Sequence, residues 1–116
     1  MKKITTSCPT EKTLHFIGGK WKLCIIQRLS LRTFRFNELK RTIPDISQKV
    51  LTQELRRLEQ GEFISRKSYS GNALKVEYSL TDHGISLLKI VDELNSWAQT
   101  HDQHISKLVK NFNESI

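Results

Sequence analysis

The chain has 116 residues, 37% of them hydrophobic and 27% charged, and its 19 lysines and arginines outnumber 12 acidic residues for a formal charge of +7. That length suits one compact domain over residues 1–116, and two cysteines are too few for the disulfide framework of a small secreted protein. The longest apolar run, Leu23 to Ile26, falls far short of a membrane span, and Met1-Lys2-Lys3 leads into polar Ile4-Thr5-Thr6-Ser7, so a cytoplasmic protein with no membrane partner is expected.

Pro9 suits the first turn of a helix, where its missing N–H costs nothing, and the spacing predicts a helix from Pro9 to about Phe16 that Gly18-Gly19 ends. A second helix runs from about Lys20 to Leu29, with Trp21, Ile25, Ile26 and Leu29 on its apolar side. Phe36, Leu39, Lys40 and Ile43 give a third helix, with Arg35 and Asn37 near its start and Pro44-Asp45 as its stop. The fourth helix opens on Ser47 as N-cap, and Ile46 before it can staple onto Leu51. Leu51, Leu55 and Leu58 make its apolar stripe, and Gly61 is expected to end it in the left-handed conformation.

After Gly61 the period changes from helical to alternating. Val76, Tyr78 and Leu80 alternate with Glu77 and Ser79, Phe63 to Tyr69 is the partner strand, and Ser70-Gly71-Asn72 supplies the turn. Thr81 then caps a last helical region. There Leu87, Val91, Leu94, Ala98, His101, Ile105, Leu108 and Phe112 form a near-heptad seam, which the polar stretch His101 to His104 can break in two. The expected fold is mainly α with a small β-hairpin, a winged helix-turn-helix, and a heptad seam on so short a domain needs a partner.

Charge follows this plan. Residues 1–60 hold 13 basic and 5 acidic side chains, whereas residues 61–116 hold 6 and 7. On a helical wheel of ~100° per residue, Lys49, Gln53 and Arg56 lie opposite the leucines, with Thr52 and Gln60 at the margins and Gln48 at the first helical position. Amide, hydroxyl and cationic side chains are the types that pair with base edges in the major groove of double-stranded DNA. Arg66, Lys67 and Lys75 surround the hairpin loop, and Arg35 and Asn37 sit at a helix start; both groups suit phosphate contact. A basic surface kept for solubility explains the net charge alone, but not where it sits.

These residues resemble the HxlR-type winged-helix regulators, relatives of the MarR repressors. The matching segments are Cys8-Pro9, Ile17 to Trp21, Arg35 to Leu39, Ile46 to Arg56, Val76 to Thr81, Gly84 and Trp97, in order over residues 8–97. The resemblance implies a homodimeric, sequence-specific transcription factor, a repressor on a palindromic operator, with the helix from Ser47 to about Gln60 reading DNA and the first and last helices pairing. The two reading helices would then stand one DNA turn, ~34 Å, apart. Family members carry proline before the Val-Glu-Tyr segment, where this chain has Ala73-Leu74-Lys75. Residues 98–116 match no family motif and form a C-terminal helical extension.

Cys8 stands as N-cap just before Pro9, where free N–H groups, the helix end and Lys12 favour a reactive thiolate while Glu11 opposes it. Several members of the resembled family use such a cysteine to sense oxidants or electrophiles; an ordinary capping residue is the other reading. Cys24, among Leu23, Ile25 and Ile26, reads as core filler, and a Cys8–Cys24 disulfide stays open at this point. Trp21, Tyr78 and Trp97 read as core aromatics. His101 and His104 lack further ligands for a metal, and Gly18-Gly19 lacks the strand-before-helix setting of a phosphate loop, so neither a cofactor nor an enzyme is expected. The competing function is a winged helix that binds a protein partner instead of DNA.

Overall fold

The computed structural model describes residues 3–69 and 75–116. Its elements in chain order are α1 (Pro9–Ile17), α2 (Lys22–Leu29), β1 (Phe34–Arg35), α3 (Phe36–Thr42), α4 (Gln48–Gln60), β2 (Ile64–Ser68), β3 (Val76–Leu80), α5 (Asp82–Thr100) and α6 (Asp102–Glu114). The expected turn at Ser70-Gly71-Asn72, and the Ala73-Leu74 departure beside it, lie outside the described residues.

The apolar spacing of the helices converges on one core. Ile25 and Ile26 of α2, Leu39 of α3 and Leu51 and Leu58 of α4 are fully buried, and Leu55 nearly so. Each such side chain contributes roughly 1.5–3 kcal/mol by leaving water. Helix α2 is the hub, touching α3, α4, α5 and β3. Trp21 is the residue just before α2 and Tyr78 lies on β3; both join the core as expected. Trp97 does not: it is 55% exposed, because α5 has left the body of the domain by that turn.

The hairpin is part of a larger sheet. Strand β1 pairs with β3 through Phe34 opposite Tyr78 and Arg35 opposite Glu77, giving a three-stranded antiparallel sheet in the order β1-β3-β2. Two residues are too few to show alternation, so this strand left no period to read.

The caps of α4 and α5 form as their sequences dictate. Ser47 Oγ accepts from the Val50 N–H at 3.1 Å, and Thr81 Oγ1 accepts from the Gly84 N–H at 3.0 Å. Gly61 ends α4, but its φ of −80° is ordinary and the left-handed residue is Glu62, at φ 63°. The reason for glycine there is space, since a Cβ would stand 2.9 Å from the Phe63 ring and 3.0 Å from Phe16 Cβ. At the end of α1 the handedness argument does hold, for Gly19 has φ 101°.

The terminal seam divides at His101, which separates α5 from α6. Its ring stacks on Trp97 at 4.3 Å and its Nδ1 lies 2.9 Å from the Trp97 carbonyl oxygen. Leu87 and Val91 pack into the core, whereas Leu94, Leu108 and Phe112 are 51–64% exposed. Helix α6 has no buried residue. No helix among the described residues is long and apolar enough to cross a membrane.

Candidate nucleic-acid interface

Helix α4 turns its leucines inward, and the same rotation sets Gln48, Lys49, Thr52, Gln53 and Arg56 in solvent. The Thr52 hydroxyl donates to the Gln48 carbonyl at 2.8 Å, which fixes that exposed side chain on the front of the helix. Glu54 is the one acid in the middle of the helix. It is withdrawn from the front by an ion pair with Lys22, both side chains being largely buried. Lys22 Nζ also donates to the Gly18 carbonyl at 3.2 Å, so one ammonium joins the end of α1 to α4.

Beside the start of α4 stands the start of α3. Arg35 is its N-cap, and the Arg35 backbone N–H donates to Glu38 Oε1 at 2.8 Å while Arg32 Nη1 lies 3.7 Å from the same oxygen. The Arg35 N–H bond, helped by the charges of Arg32 and Arg35, holds the Glu38 carboxyl below its ordinary value against the opposing pull of desolvation. Glu38 thus stays ionised, and its charge is partly offset by Arg32 beside it. Arg35, Asn37 and Gln48 line a polar hollow of about 550 Å³ that also contains Arg41.

The sequence reading missed Arg41. Its signal was present: Arg41 follows Asn37 by four residues, which puts both on one helical face. Replacing Arg41 by alanine is expected to lower the slope of log affinity against log salt by about 1 without altering base preference. A salt titration of operator binding by the variant checks this.

Register sorts the cations of the wing. Arg66 is opposite Tyr78, on the sheet face turned to α4, and it shares a hollow with Thr52, Arg56 and Glu59. Lys67 is opposite Glu77, which has Arg35 on its other side, so Arg35, Glu77 and Lys67 form a ladder across the other face. Lys67 Nζ lies 4.9 Å from the centre of the Tyr69 ring, an aromatic that the sequence reading also missed. Lys75 is exposed just before β3. The structure therefore brings Arg35, Asn37 and Gln48 together, and Thr52, Arg56 and Arg66 together. Lys67 reaches the first group only across Glu77, which stands between it and Arg35, and Lys75 precedes β3 on the wing.

Cys8 is the N-cap of α1, exposed, with no hydrogen bond from its side chain to the helix. Its N–H donates to Thr6 Oγ1 at 3.1 Å. Cys24 is half-buried against the core, as its neighbours predicted, and both thiols are free within the chain.

Known proteins share this fold. The family model for HxlR-like helix-turn-helix proteins matches residues 16–106. The HTH-type transcriptional regulator YkvN of Bacillus subtilis (strain 168) is 48% identical over 97 residues, spanning 84% of this chain and 80% of that protein. Among solved structures, the redox regulator HypR in its reduced form superposes with a TM-score of 0.80 at 38% identity, covering 86% of this chain and 99% of that one. The reduced transcriptional regulator YodB from B. subtilis superposes with a TM-score of 0.70 at 37% identity, covering 80% and 92%.

Proposed function

Because the chain belongs to the HxlR-like helix-turn-helix family, we propose that it is a cytoplasmic, sequence-specific DNA-binding repressor and not an enzyme. Residues 1–116 act as a single winged-helix domain with residues 98–116 as its helical extension. A homodimer presents two α4 helices to a palindromic operator. The observation that carries the reading is the front of α4: Gln48, Lys49, Thr52, Gln53 and Arg56 are all exposed, with the one mid-helix carboxylate tied back to Lys22. Arg35, Asn37 and Arg41 at one side, and Arg66, Lys67 and Lys75 at the other, flank that front with phosphate-seeking charge.

Pairing of two chains is supported by apolar side chains left in water on the terminal helices: Leu14 on α1, Leu94 and Trp97 on α5, and Leu108, Val109 and Phe112 on α6, each 51–64% exposed. The signal is an oxidant or electrophile acting at Cys8. Support for this comes from the exposure of the free thiol at the first turn of α1 and from likeness to a redox regulator.

Footprinting on the promoter DNA nearest the gene, followed by a gel shift between about 50 and 200 mM salt, tests the DNA reading. A palindromic footprint is expected, with two chains bound and affinity falling about 10³-fold across that range for some six phosphate contacts. Weak retention indifferent to sequence points instead to a protein-binding winged helix. Treating the protein with a thiol oxidant is expected to release the operator, and Cys8→Ser is expected to hold it. Equal binding before and after oxidation of the unaltered protein removes Cys8 from the mechanism.

A further inference from the structure

Lys22 occupies a place that local rules give to an acid. It opens α2, whose first turn holds no carboxylate, so its ammonium stands at the positive end of that helix. Its side chain is only 13% exposed, and a lysine withdrawn from water to that degree needs a partner. The partners come from outside α2. Lys22 Nζ forms the ion pair with Glu54 of α4 and donates to the Gly18 carbonyl at 3.2 Å. Gly18 is the C-cap of α1 and is itself held, since its N–H donates to the Leu14 carbonyl at 2.8 Å. One ammonium thus ties the end of α1, the start of α2 and the middle of α4.

Such a pair adds little net stability, because withdrawing both charges from water offsets most of their attraction. What it supplies is direction. The buried side of α4 is the stripe of Leu51, Leu55 and Leu58, and apolar contact is non-directional. Glu54 lies ~60° to one side of that stripe on a wheel of ~100° per residue, so holding it resists a roll that the leucines alone permit. On a helix of ~5–6 Å radius, side chains included, a roll of ~20° carries an outer group ~2 Å. A hydrogen bond to a base edge spans ~2.7–3.2 Å and is lost over that distance, whereas a flexible cation follows a phosphate through it.

We propose that Lys22 and Glu54 are positioning residues for base recognition: their ion pair, anchored on the end of α1, sets the roll of α4. It thereby fixes where Gln48, Lys49, Gln53 and Arg56 meet the base edges. The proposal rests on the DNA-binding reading above.

The test compares the unaltered protein with Lys22→Met/Glu54→Met, which removes both charges, roughly holds side-chain volume and leaves the net charge as it was. Operator and scrambled duplex are titrated with each protein over a range of salt. Melting temperature, affinity for scrambled duplex and salt slope are expected to hold. The ratio of operator to scrambled affinity is expected to fall about tenfold, as for the loss of one base contact. Both duplexes sample the same folded protein, so this ratio reads position even where stability drops. Lys22→Met alone, which leaves Glu54 charged at a site 17% exposed, is the second variant should the double one not fold, and the same fall is expected of it.

Amide residual dipolar couplings of the free protein give a readout without DNA. In either variant they are expected to show α4 rolled against α2, or averaged over several rolls. A folded variant that keeps the parent's ratio overturns the positioning role, even if both affinities fall together. A lowered ratio with the α4 couplings unchanged overturns roll as the cause. An unaltered protein with no preference for any operator fails the earlier reading, and the couplings still decide whether the ion pair orients α4.

Discussion

Replacing Lys49, Gln53 and Arg56 together by alanine is expected to abolish preference for the operator while the protein stays folded. All three side chains are exposed, alanine is the best helix former, and the core stripe of Leu51, Leu55 and Leu58 is untouched, so melting temperature and helical content hold. A base contact of this type discriminates by roughly 1–3 kcal/mol. Three lost together lower specific affinity by 100-fold or more, and residual binding should match that to random DNA. Binding to operator and to scrambled duplex, compared at one salt concentration, reads the ratio. A variant that keeps the preference of the unaltered protein sinks the assignment of α4 as the reading helix.

The second large effect is expected at Gly84. A glycine in the first turn of a helix is ordinarily improved by alanine, by up to about 1 kcal/mol. Here the sign reverses. A Cβ on Gly84 would stand 2.1 Å from the Phe63 carbonyl oxygen and 3.2 Å from Leu80 Cδ2, and the first of these is backbone that cannot rotate away. Helix α5 must lift off the corner. Doing so strains the Thr81 N–H bond to Phe63 and the Thr81 hydroxyl bond to Glu62. Overpacking of this kind costs about 1–3 kcal/mol, and each weakened hydrogen bond adds about 1. Gly84→Ala should therefore lower Tm by more than about 10 °C in a domain of this size, whereas Ile85→Ala, at an exposed neighbour, should change it little. A Gly84→Ala protein as stable as its parent disproves the close approach.

The helices were legible because their signals are local. Ser47 before a leucine stripe specifies where α4 begins and which side goes inward, and the outward side follows by rotation. The alternation from Val76 to Leu80 marks β3 for the same reason. What escaped is set by other segments. Strand β1 exists because β3 offers it an unpaired edge at Glu77 and Tyr78, a fact two residues cannot announce. The end of α4 needs glycine for the Phe63 ring and Phe16 Cβ, which arrive from other segments, and the left-handed turn passes to Glu62. Trp97 reads as core by composition, yet the core closes at Val91. Arg41 joins Arg35, Asn37 and Gln48 only once α3 and α4 are packed, although its spacing from Asn37 was readable.

The division of the terminal seam has a consequence for dose. Among the described residues the hydrophobic core ends with Val91, and most large apolar side chains beyond it, Leu94, Trp97, Leu108 and Phe112 among them, are exposed. A lone protomer thus keeps a complete interior, and under the proposed pairing its fold does not wait for a mate. Operator occupancy then rises as the square of the amount of protein until most chains have found partners. Small changes in synthesis rate would throw the gene's control sharply over a threshold.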